Sequence, residues 1–183
     1  MTGLGDAVVA AAGRGDPDAI EDVYRALAPR VLGYLQGQGV EDPESLTDEV
    51  FITVLPRLPE VRGGAAGLRT LVFSVAHARA VDDHRRRSRR PVQASYEPEH
   101  DQRTVDSAET VAMGTVTTEA VEQLLEELGE EQRAVIMLRV LADLSLEETA
   151  GVLGKSVGSV KQLQRRGLLR LRQILETDAG RAW

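Results

Sequence analysis

The stretch SLEETAGVLGKSVGSVKQLQRRGLLRL, residues 145–171, decides the fold class. Ser145 and Glu148 have the spacing of a capping box, in which the hydroxyl accepts from an amide three residues on and the carboxylate reaches back. The short helix that begins there is predicted to end at Gly154, because glycine adopts the left-handed C-terminal conformation at least cost. Ser156 then caps a second helix that begins at Val157. Two helices joined by a turn of about three residues that contains glycine are typical of a helix-turn-helix.

The second helix of this pair separates apolar from polar side chains. The apolar set is predicted to face inward and consists of Val157, Val160, Leu163, Leu168 and Leu171. The outward side chains suit a DNA major groove, since Arg and Lys pair with guanine edges or phosphates, Gln reads adenine, and helix N-terminal amides bind phosphate. The candidate DNA-contacting residues are Lys155, Ser156, Val157, Ser159, Lys161, Gln162, Arg165 and Arg166. A plain helical hairpin with no DNA role is the alternative.

Composition supports an all-α protein and excludes several other classes. The chain has 183 residues, of which 42% are hydrophobic and only 3% aromatic, so its core is built from Leu, Val, Ile and Ala. It has no cysteine, which excludes disulfides, Cys-based zinc sites and thiol chemistry. Residues 1–12 lack the pattern of a signal peptide, and no apolar run is long enough for a membrane span. We therefore expect a cytoplasmic protein without membrane insertion.

Helix signals and a gap between them predict two helical domains. Asp16-Pro17 and Asp42-Pro43 are N-cap and first-turn pairs, each followed by an apolar stripe of helical period, and a third stripe begins at Leu68. Pro29 is expected to kink or divide the first helix. Between residues 91 and 118 the periodicity disappears and Pro, Ser, Thr, Glu and Asp dominate, with five acids against the single Arg103, which predicts a flexible linker. The predicted organisation is an N-terminal extension (1–15), a first helical domain (16–90), the linker (91–118), a second helical domain (119–176) and a C-terminal tail (177–183).

Charge is segregated along the chain. The formal net charge is −7, which alone argues against nucleic-acid binding. Residues 69–90, however, carry seven arginines against two aspartates, and residues 155–172 carry six cations and no acid. Two basic islands in an acidic body predict two nucleic-acid contact sites, with solvated helix faces as the alternative.

The residues quoted so far resemble bacterial RNA polymerase sigma factors of the extracytoplasmic function (ECF) group. The resemblance to the family's σ4 domain lies in residues 125–175, which include LGEEQRAVIMLRVLADLSLEETAGVLGKSVGSVKQLQRRGLLRLRQIL. DPESLTDEVF (42–51) and LRTLVFSVAHARAVDDHRRRSRR (68–90) resemble the σ2 helices. The resemblance therefore covers nearly the whole chain.

The resemblance implies a promoter-specificity subunit that is not an enzyme and needs no cofactor. It implies that σ2 reads and helps to melt the −10 element and that σ4 reads the −35 element. The residues matching the −10 contacts are Arg69, His77, Arg79, Asp82, His84, Arg85 and Arg86. Those matching the contacts to the clamp helices of the largest core-polymerase subunit are Asp48, Glu49, Phe51 and Leu55, and σ4 is expected to contact the polymerase flap. We also expect an anti-sigma factor as a partner.

Some positions depart from the family pattern. Leu55 and Leu71 stand where many relatives have aromatic side chains, and Asp48 stands where Gln is common. Aliphatic side chains cannot stack on unpaired bases as aromatic ones do. Either the −10 sequence is therefore expected to be unusual, or its melting is expected to depend more on the arginines.

Other functions remain open at the level of sequence. One is a stand-alone helix-turn-helix repressor or activator, and another is a helical protein-protein adaptor. His77 and His84 lie two helical turns apart beside acidic residues, a weak candidate for a metal site, because helical zinc pairs usually have a spacing of four.

Overall fold

The computed structural model of the chain describes residues 4–89 and 118–181. Within these ranges every regular element is helical, which confirms the all-α prediction. The helices are α1 (Asp6–Gly13), α2 (Pro17–Gly37), α3 (Pro43–Val54), α4 (Gly64–Arg89), α5 (Thr118–Glu126), α6 (Glu130–Val140), α7 (Leu146–Leu153) and α8 (Val157–Arg181), with a 3-10 helix at Leu55–Glu60. The predicted linker lies outside the described residues except for Thr118.

The predicted helix starts are formed by the expected side chains. Asp16 accepts hydrogen bonds from the amides of Asp18 and Ala19 at 3.1 and 3.3 Å, with Pro17 at the first helical position. Asp42 accepts from the amide of Ser45 at 3.0 Å at the start of α3. These bonds satisfy amides that the first turn leaves unpaired.

Pro29 does not divide α2, which runs unbroken from Pro17 to Gly37. The prediction of a division is therefore wrong. Pro29 is exposed, whereas Leu27 and Val31 on either side of it are 1% and 0% exposed. Proline removes one backbone hydrogen bond from the helix. The packing of the flanking apolar side chains in the core stabilises the helix despite this loss.

Helices α1 to α4 surround a core that includes Tyr34 and Phe73, whose rings meet edge to face at 5.7 Å. Helix α1 packs on α2 and α4, and Asp6 accepts a hydrogen bond from the amide of Ala65 at 2.8 Å near the start of α4. Residues 6–13, predicted as an extension, thus belong to this first helical unit. No apolar stripe of helical period was recognised there, because half of the residues of α1 are not large apolar side chains but alanine.

Helices α6, α7 and α8 form a second, smaller cluster around Val135, Ala150 and Val160. Gly167 brings α8 close to α6, since a Cβ at that position would lie 2.6 Å from Cδ1 of Ile136. Leu168 is consequently turned away from this contact and is 51% exposed, so its predicted inward position is wrong. Helix α8 continues to Arg181, and residues 177–181 are therefore part of the helix rather than a separate tail.

The two helical units are in contact. Met137, Leu138, Ala142 and Leu144 of the second unit are buried in the same hydrophobic cluster as the core of the first unit. Helix α7 packs on α4 and α6 packs on α2. The remaining predicted domain bounds stay predictions. In the part of the chain that the structure describes, no helix is both long and apolar enough to cross a membrane.

Candidate nucleic-acid interface

The helix-turn-helix forms as the sequence predicts. The Ser145 hydroxyl accepts from the amide of Glu148 at 3.1 Å, and the Glu148 carboxylate accepts from the amide of Ser145 at 2.6 Å. Gly154 ends α7 in the left-handed conformation, with φ of 60°. Ser156 then accepts from the amide of Ser159 at 3.2 Å and caps α8. The caps define the angle at which α8 leaves the turn, and so the face that it presents.

Four polar residues in the first half of α8 are exposed and carry no hydrogen bond or ion pair within the described ranges: Lys161, Gln162, Arg165 and Arg166. They fall at i, i+1, i+4 and i+5, so they share one face of the helix. This face combines three exposed cations with an amide that can both donate and accept hydrogen bonds. Its chemistry fits phosphates and base edges.

The other cations of this basic island are paired with acids. Lys155 Nζ lies 2.5 Å from Glu131, Arg170 lies 2.6 Å from Glu127, and Arg172 lies 2.7 Å from Glu176. Lys155 was predicted to contact DNA, yet its side chain is only 27% exposed and its charge is already balanced. Val157 and Ser159 are half-buried and Ser156 is exposed. The unpaired positive charge is therefore concentrated between residues 161 and 166.

On α4, His77 is tied to the core rather than free for a phosphate. Its Nδ1 lies 2.9 Å from the hydroxyl of Tyr34, which is fully buried. Burial lowers the pKa of His77 and raises the pKa of Tyr34, so both are neutral at pH 7. The neutral ring shares one hydrogen bond with the buried hydroxyl, in the direction that the His77 tautomer sets. His77 thus anchors α4 on α2, and the DNA contact that the resemblance implies for it stays a prediction.

His84 has a similar structural role. Its Nε2 lies 2.9 Å from the Gln38 carbonyl, and its Nδ1 lies 2.8 Å from an Arg87 nitrogen, which also donates to the Gly39 carbonyl at 2.7 Å. Because guanidinium only donates, Nδ1 is the acceptor and the proton is on Nε2. Arg87 also faces the buried carboxylate of Asp83 at 3.0 Å. No cluster of potential metal ligands forms among the described residues, so His77 and His84 do not form the weakly predicted metal site.

The other residues predicted for the −10 contact lie in different surroundings. Arg69 is only 20% exposed and faces Asp143 of the second unit at 4.0 Å. Arg79 faces Glu49 at 3.7 Å and Thr53 at 3.4 Å. Asp82, Arg85 and Arg86 are exposed near the C-terminal end of α4. Asp82, Arg85 and Arg86 are therefore accessible to a partner, whereas Arg69 and Arg79 already face acidic side chains of this chain.

On α3, the exposed surface differs from the predicted one. Phe51 is 2% exposed and packs edge to face on Tyr24 at 4.7 Å, so its side chain belongs to the core, and the docking role that the resemblance implies for it stays a prediction. Leu55 is half-buried, while Asp48 and Glu49 are exposed. Ile52, which sequence reasoning missed, is 72% exposed. The sequence contains a signal for this exposure. Ile52 lies outside the apolar stripe, one helical turn after Asp48 and so on the polar face of α3.

Comparison with known proteins gives the family. A family model described as Sigma-70, region 4 matches residues 118–171, which contain the helix-turn-helix. The chain is 32% identical over 180 residues to the ECF RNA polymerase sigma factor ShbA of Streptomyces griseus, covering 93% of this chain and 94% of that protein. This chain belongs to the ECF RNA polymerase sigma factors. The sigma factor is also 31% identical over 175 residues to SigD of Mycobacterium tuberculosis, with 91% and 82% of the two chains covered.

Solved structures confirm the fold of this sigma factor. The sigma factor RpoE of Bartonella quintana, solved with the anti-sigma factor NepR, matches with a TM-score of 0.66 at 19% identity and covers 86% of this chain and 97% of that one. CnrH, solved with the cytosolic domain of CnrY, matches with a TM-score of 0.64 at 20% identity, covering 94% and 97%. These structures show the same fold, and the identity to ShbA and SigD confirms the resemblance to ECF sigma factors.

Proposed function

We propose that this sigma factor binds core RNA polymerase in the cytoplasm and directs promoter-specific initiation by reading the −35 element with α8 and the −10 element with α4. Catalysis belongs to the polymerase. The observation that carries the proposal is the exposed, unpaired face of α8 formed by Lys161, Gln162, Arg165 and Arg166, on the second helix of a helix-turn-helix. Three cations that have no acidic partner among the described residues, gathered on one face beside Gln162, favour an anionic ligand over a hairpin with a structural role alone.

At the −35 element, the two kinds of side chain on α8 have different tasks. Arg165 and Arg166 present planar guanidinium groups that bind guanine O6 and N7 or a phosphate in a bidentate manner. Gln162 binds the N6 and N7 edge of adenine. The amides at the start of α8, beside Ser156, are directed at a phosphate and set the register. Lys155 takes part only if its pair with Glu131 opens.

At the −10 element, the exposed C-terminal part of α4 supplies the contacts. Arg85 and Arg86 bind the phosphate backbone of the DNA. Asp82 lies beside them, and Arg79 lies nearer the N-terminal end of the helix. His77 and His84 act indirectly, because their hydrogen bonds to Tyr34 and Gln38 hold α4 in position against α2.

Core polymerase docks on α3. Ile52 supplies an apolar anchor, and Asp48 and Glu49 lie beside it, with Glu49 also facing Arg79. This arrangement fits a partner surface with an apolar groove and basic rim, as expected for the clamp helices of the largest subunit. An anti-sigma factor is a further proposed partner, and exposed apolar side chains such as Val140 and Leu175 give it surface to bind.

The experiment that tests the function is transcription by sigma-free bacterial core polymerase on fragmented genomic DNA, with mapping of RNA 5′ ends. We expect new start sites that share upstream sequence at two positions. If none appear and the chain alone still shifts particular duplexes, a repressor or activator replaces the sigma-factor role. Absence of both activities would favour a protein-protein adaptor.

The double substitution Arg165→Glu/Arg166→Glu tests the α8 face. We expect loss of promoter-specific transcription and a slope of log affinity against log salt that is smaller by about 2, because each lost phosphate contact removes about 0.9. Arg14→Glu/Arg57→Glu is the matched control, since both arginines are exposed, lie outside α8 and have no ion pair in the described parts of the chain. Equal losses in the two double variants would contradict a specific role for α8.

A further inference from the structure

A tyrosine on α2 lies against the surface that α3 presents for docking. Tyr24 is 41% exposed, and its ring packs edge to face on Phe51 of α3, with 4.7 Å between the ring centroids. Its hydroxyl lies 3.4 Å from Oδ1 of Asp48, to which it donates a hydrogen bond. Tyr24 therefore covers the buried phenylalanine and at the same time contacts an exposed carboxylate.

Asp48 and Ile52 continue this surface along α3. They are one helical turn apart, so their side chains lie on the same face of the helix. Ile52 is 72% exposed, and Asp48 is exposed as well. Tyr24, Asp48 and Ile52 are therefore neighbours on one strip of surface that crosses from α2 to α3. The strip combines an aromatic ring, a carboxylate and an aliphatic side chain.

The free negative charge on this strip belongs to Asp48. Arg25, which follows Tyr24 in the sequence, pairs with acids of its own helix. Glu49 faces Arg79 at 3.7 Å. Asp48 has no cationic partner in the described parts of the chain, and the Tyr24 hydroxyl occupies only one of its two oxygens. Because a carboxylate only accepts hydrogen bonds, the group that completes this site is a donor.

An arginine side chain of a partner fits both halves of the site. A guanidinium group binds a carboxylate through two parallel N–H donors. Its flat face also stacks on an aromatic ring, whose electron-rich face attracts the cation. A lysine offers a point charge without the planar fork, and a neutral amide offers no charge. The contact between Tyr24 and Asp48 therefore selects arginine over these other donors.

We propose that Tyr24 and Asp48 form a binding site for an arginine side chain of core RNA polymerase, which makes Tyr24 a specificity-determining residue and extends the docking surface onto α2. The inference rests on the proposed function for the identity of the partner. The contact between ring and carboxylate, in contrast, is present in the free chain. Since Asp48 stands where Gln is common in relatives, docking of this chain gains a charge pair that a neutral amide does not give.

Titration of fluorescently labelled core polymerase with the full-length variant Tyr24→Lys is the first test. The aliphatic stem of lysine still covers Phe51, so we expect the thermal unfolding midpoint to stay close to that of the wild type. The ammonium group repels an arginine, and we expect binding to weaken by about tenfold or more. Gln36→Lys is the matched control, because Gln36 is exposed and lies more than three helical turns further along α2. Equal losses in the two lysine variants would overturn the proposal.

Tyr24→Phe separates the ring from its hydroxyl. Phenylalanine retains the cover over Phe51 and the aromatic face on which a guanidinium stacks. We therefore expect the dissociation constant for core polymerase to stay within about twofold of the wild-type value. A loss as large as that of Tyr24→Lys would show that the ring is not the contact and would overturn the stacking of an arginine on it.

Asp48→Asn removes the charge of the site and keeps its size. We expect binding of core polymerase to weaken by about fivefold at low salt, and the difference from wild type to shrink as the salt concentration rises, because salt screens the charge pair. The same loss at every salt concentration would contradict a pair between Asp48 and a cation.

The titrations also distinguish failure of this inference from failure of the proposed function. If the wild-type chain does not bind core polymerase, both are overturned. If it binds and Tyr24→Lys binds equally well, the inference alone is overturned, because docking through Ile52 on α3 is then sufficient.

Discussion

At the scale of single residues, His77 shows how burial changes a role that sequence chemistry suggested. In a basic helix a histidine is expected to meet phosphate. Here its Nδ1 is 2.9 Å from the Tyr34 hydroxyl, and burial lowers its pKa from the ordinary value of 6.5. The unfolded chain therefore binds the extra proton at a higher pH than the folded chain does. The free energy of unfolding then falls as the pH drops below about 6.5, and the contribution of His77 is complete above that value.

We expect His77→Gln to weaken this pH dependence. Wild-type protein should lose more stability between pH 7.5 and pH 5.5 than the variant, because glutamine has no proton to take up. Urea unfolding at three pH values in that range measures the difference. Tyr34→Phe is the control, since the site stays buried and the pH dependence should persist. An identical slope in His77→Gln and wild type would contradict the assignment.

At the scale of elements, α3 shows how one helix serves core and surface. Its stripe of Val50, Phe51 and Val54 is 0–2% exposed, while Ile52 on another face is 72% exposed beside Glu49. Exposed isoleucine adds nothing to the stability of the free chain, but it gains free energy when a partner covers it. Burial of its side chain is worth about 1.5–3 kcal/mol.

We expect Ile52→Ala to weaken binding of core polymerase about tenfold without changing the thermal unfolding midpoint. Glu49→Lys should weaken binding as well, because it reverses the charge at the rim of the same surface. Glu44→Lys, an exposed glutamate in the first turn of α3, is the matched control. Fluorescence titration of core polymerase measures all three. Equal effects of Glu44→Lys and Glu49→Lys would indicate general electrostatics rather than a docking surface.

At the scale of the whole molecule, charge is arranged so that the free chain is a poor DNA binder. The net charge is −7, and Glu131, Glu127 and Glu176 each pair with a cation of the α8 island. Only the cations between residues 161 and 166 are left for phosphates in the first half of α8. Few contacts in an acidic surrounding give weak attraction to a duplex.

We expect the isolated full chain to bind a −35 duplex only weakly in physiological salt, with a dissociation constant of about 10⁻⁵ M or above. The slope of log affinity against log salt should be about −2.7, as expected for three phosphate contacts. Fluorescence anisotropy at several salt concentrations measures both, and core polymerase should raise the affinity. Tight, sequence-specific binding by the chain alone would contradict this.

Local signals predicted most of the elements, and burial decided most of the corrections. The capping box at Ser145, the Gly154 turn and the Asp-Pro helix starts depend on neighbouring residues only, and each is found as predicted. Leu168 was misplaced because the sequence of one helix does not say which of its apolar side chains a partner helix covers. Glu131 and Glu127 lie far along the chain from Lys155 and Arg170, and so their pairing had no local signal.

By itself the sequence determined that this protein is helical, that it contains a helix-turn-helix with a cationic face, and that it is an ECF sigma factor. Caps, turns and apolar periods are short-range properties, and they survive in any arrangement of the helices. Only the tertiary structure decided that His77 supports the core, that Ile52 is exposed, and that Tyr24 of α2 contacts Asp48 of α3. Those facts depend on which surfaces exclude water from each other, and that is settled by contacts between residues far apart in the chain.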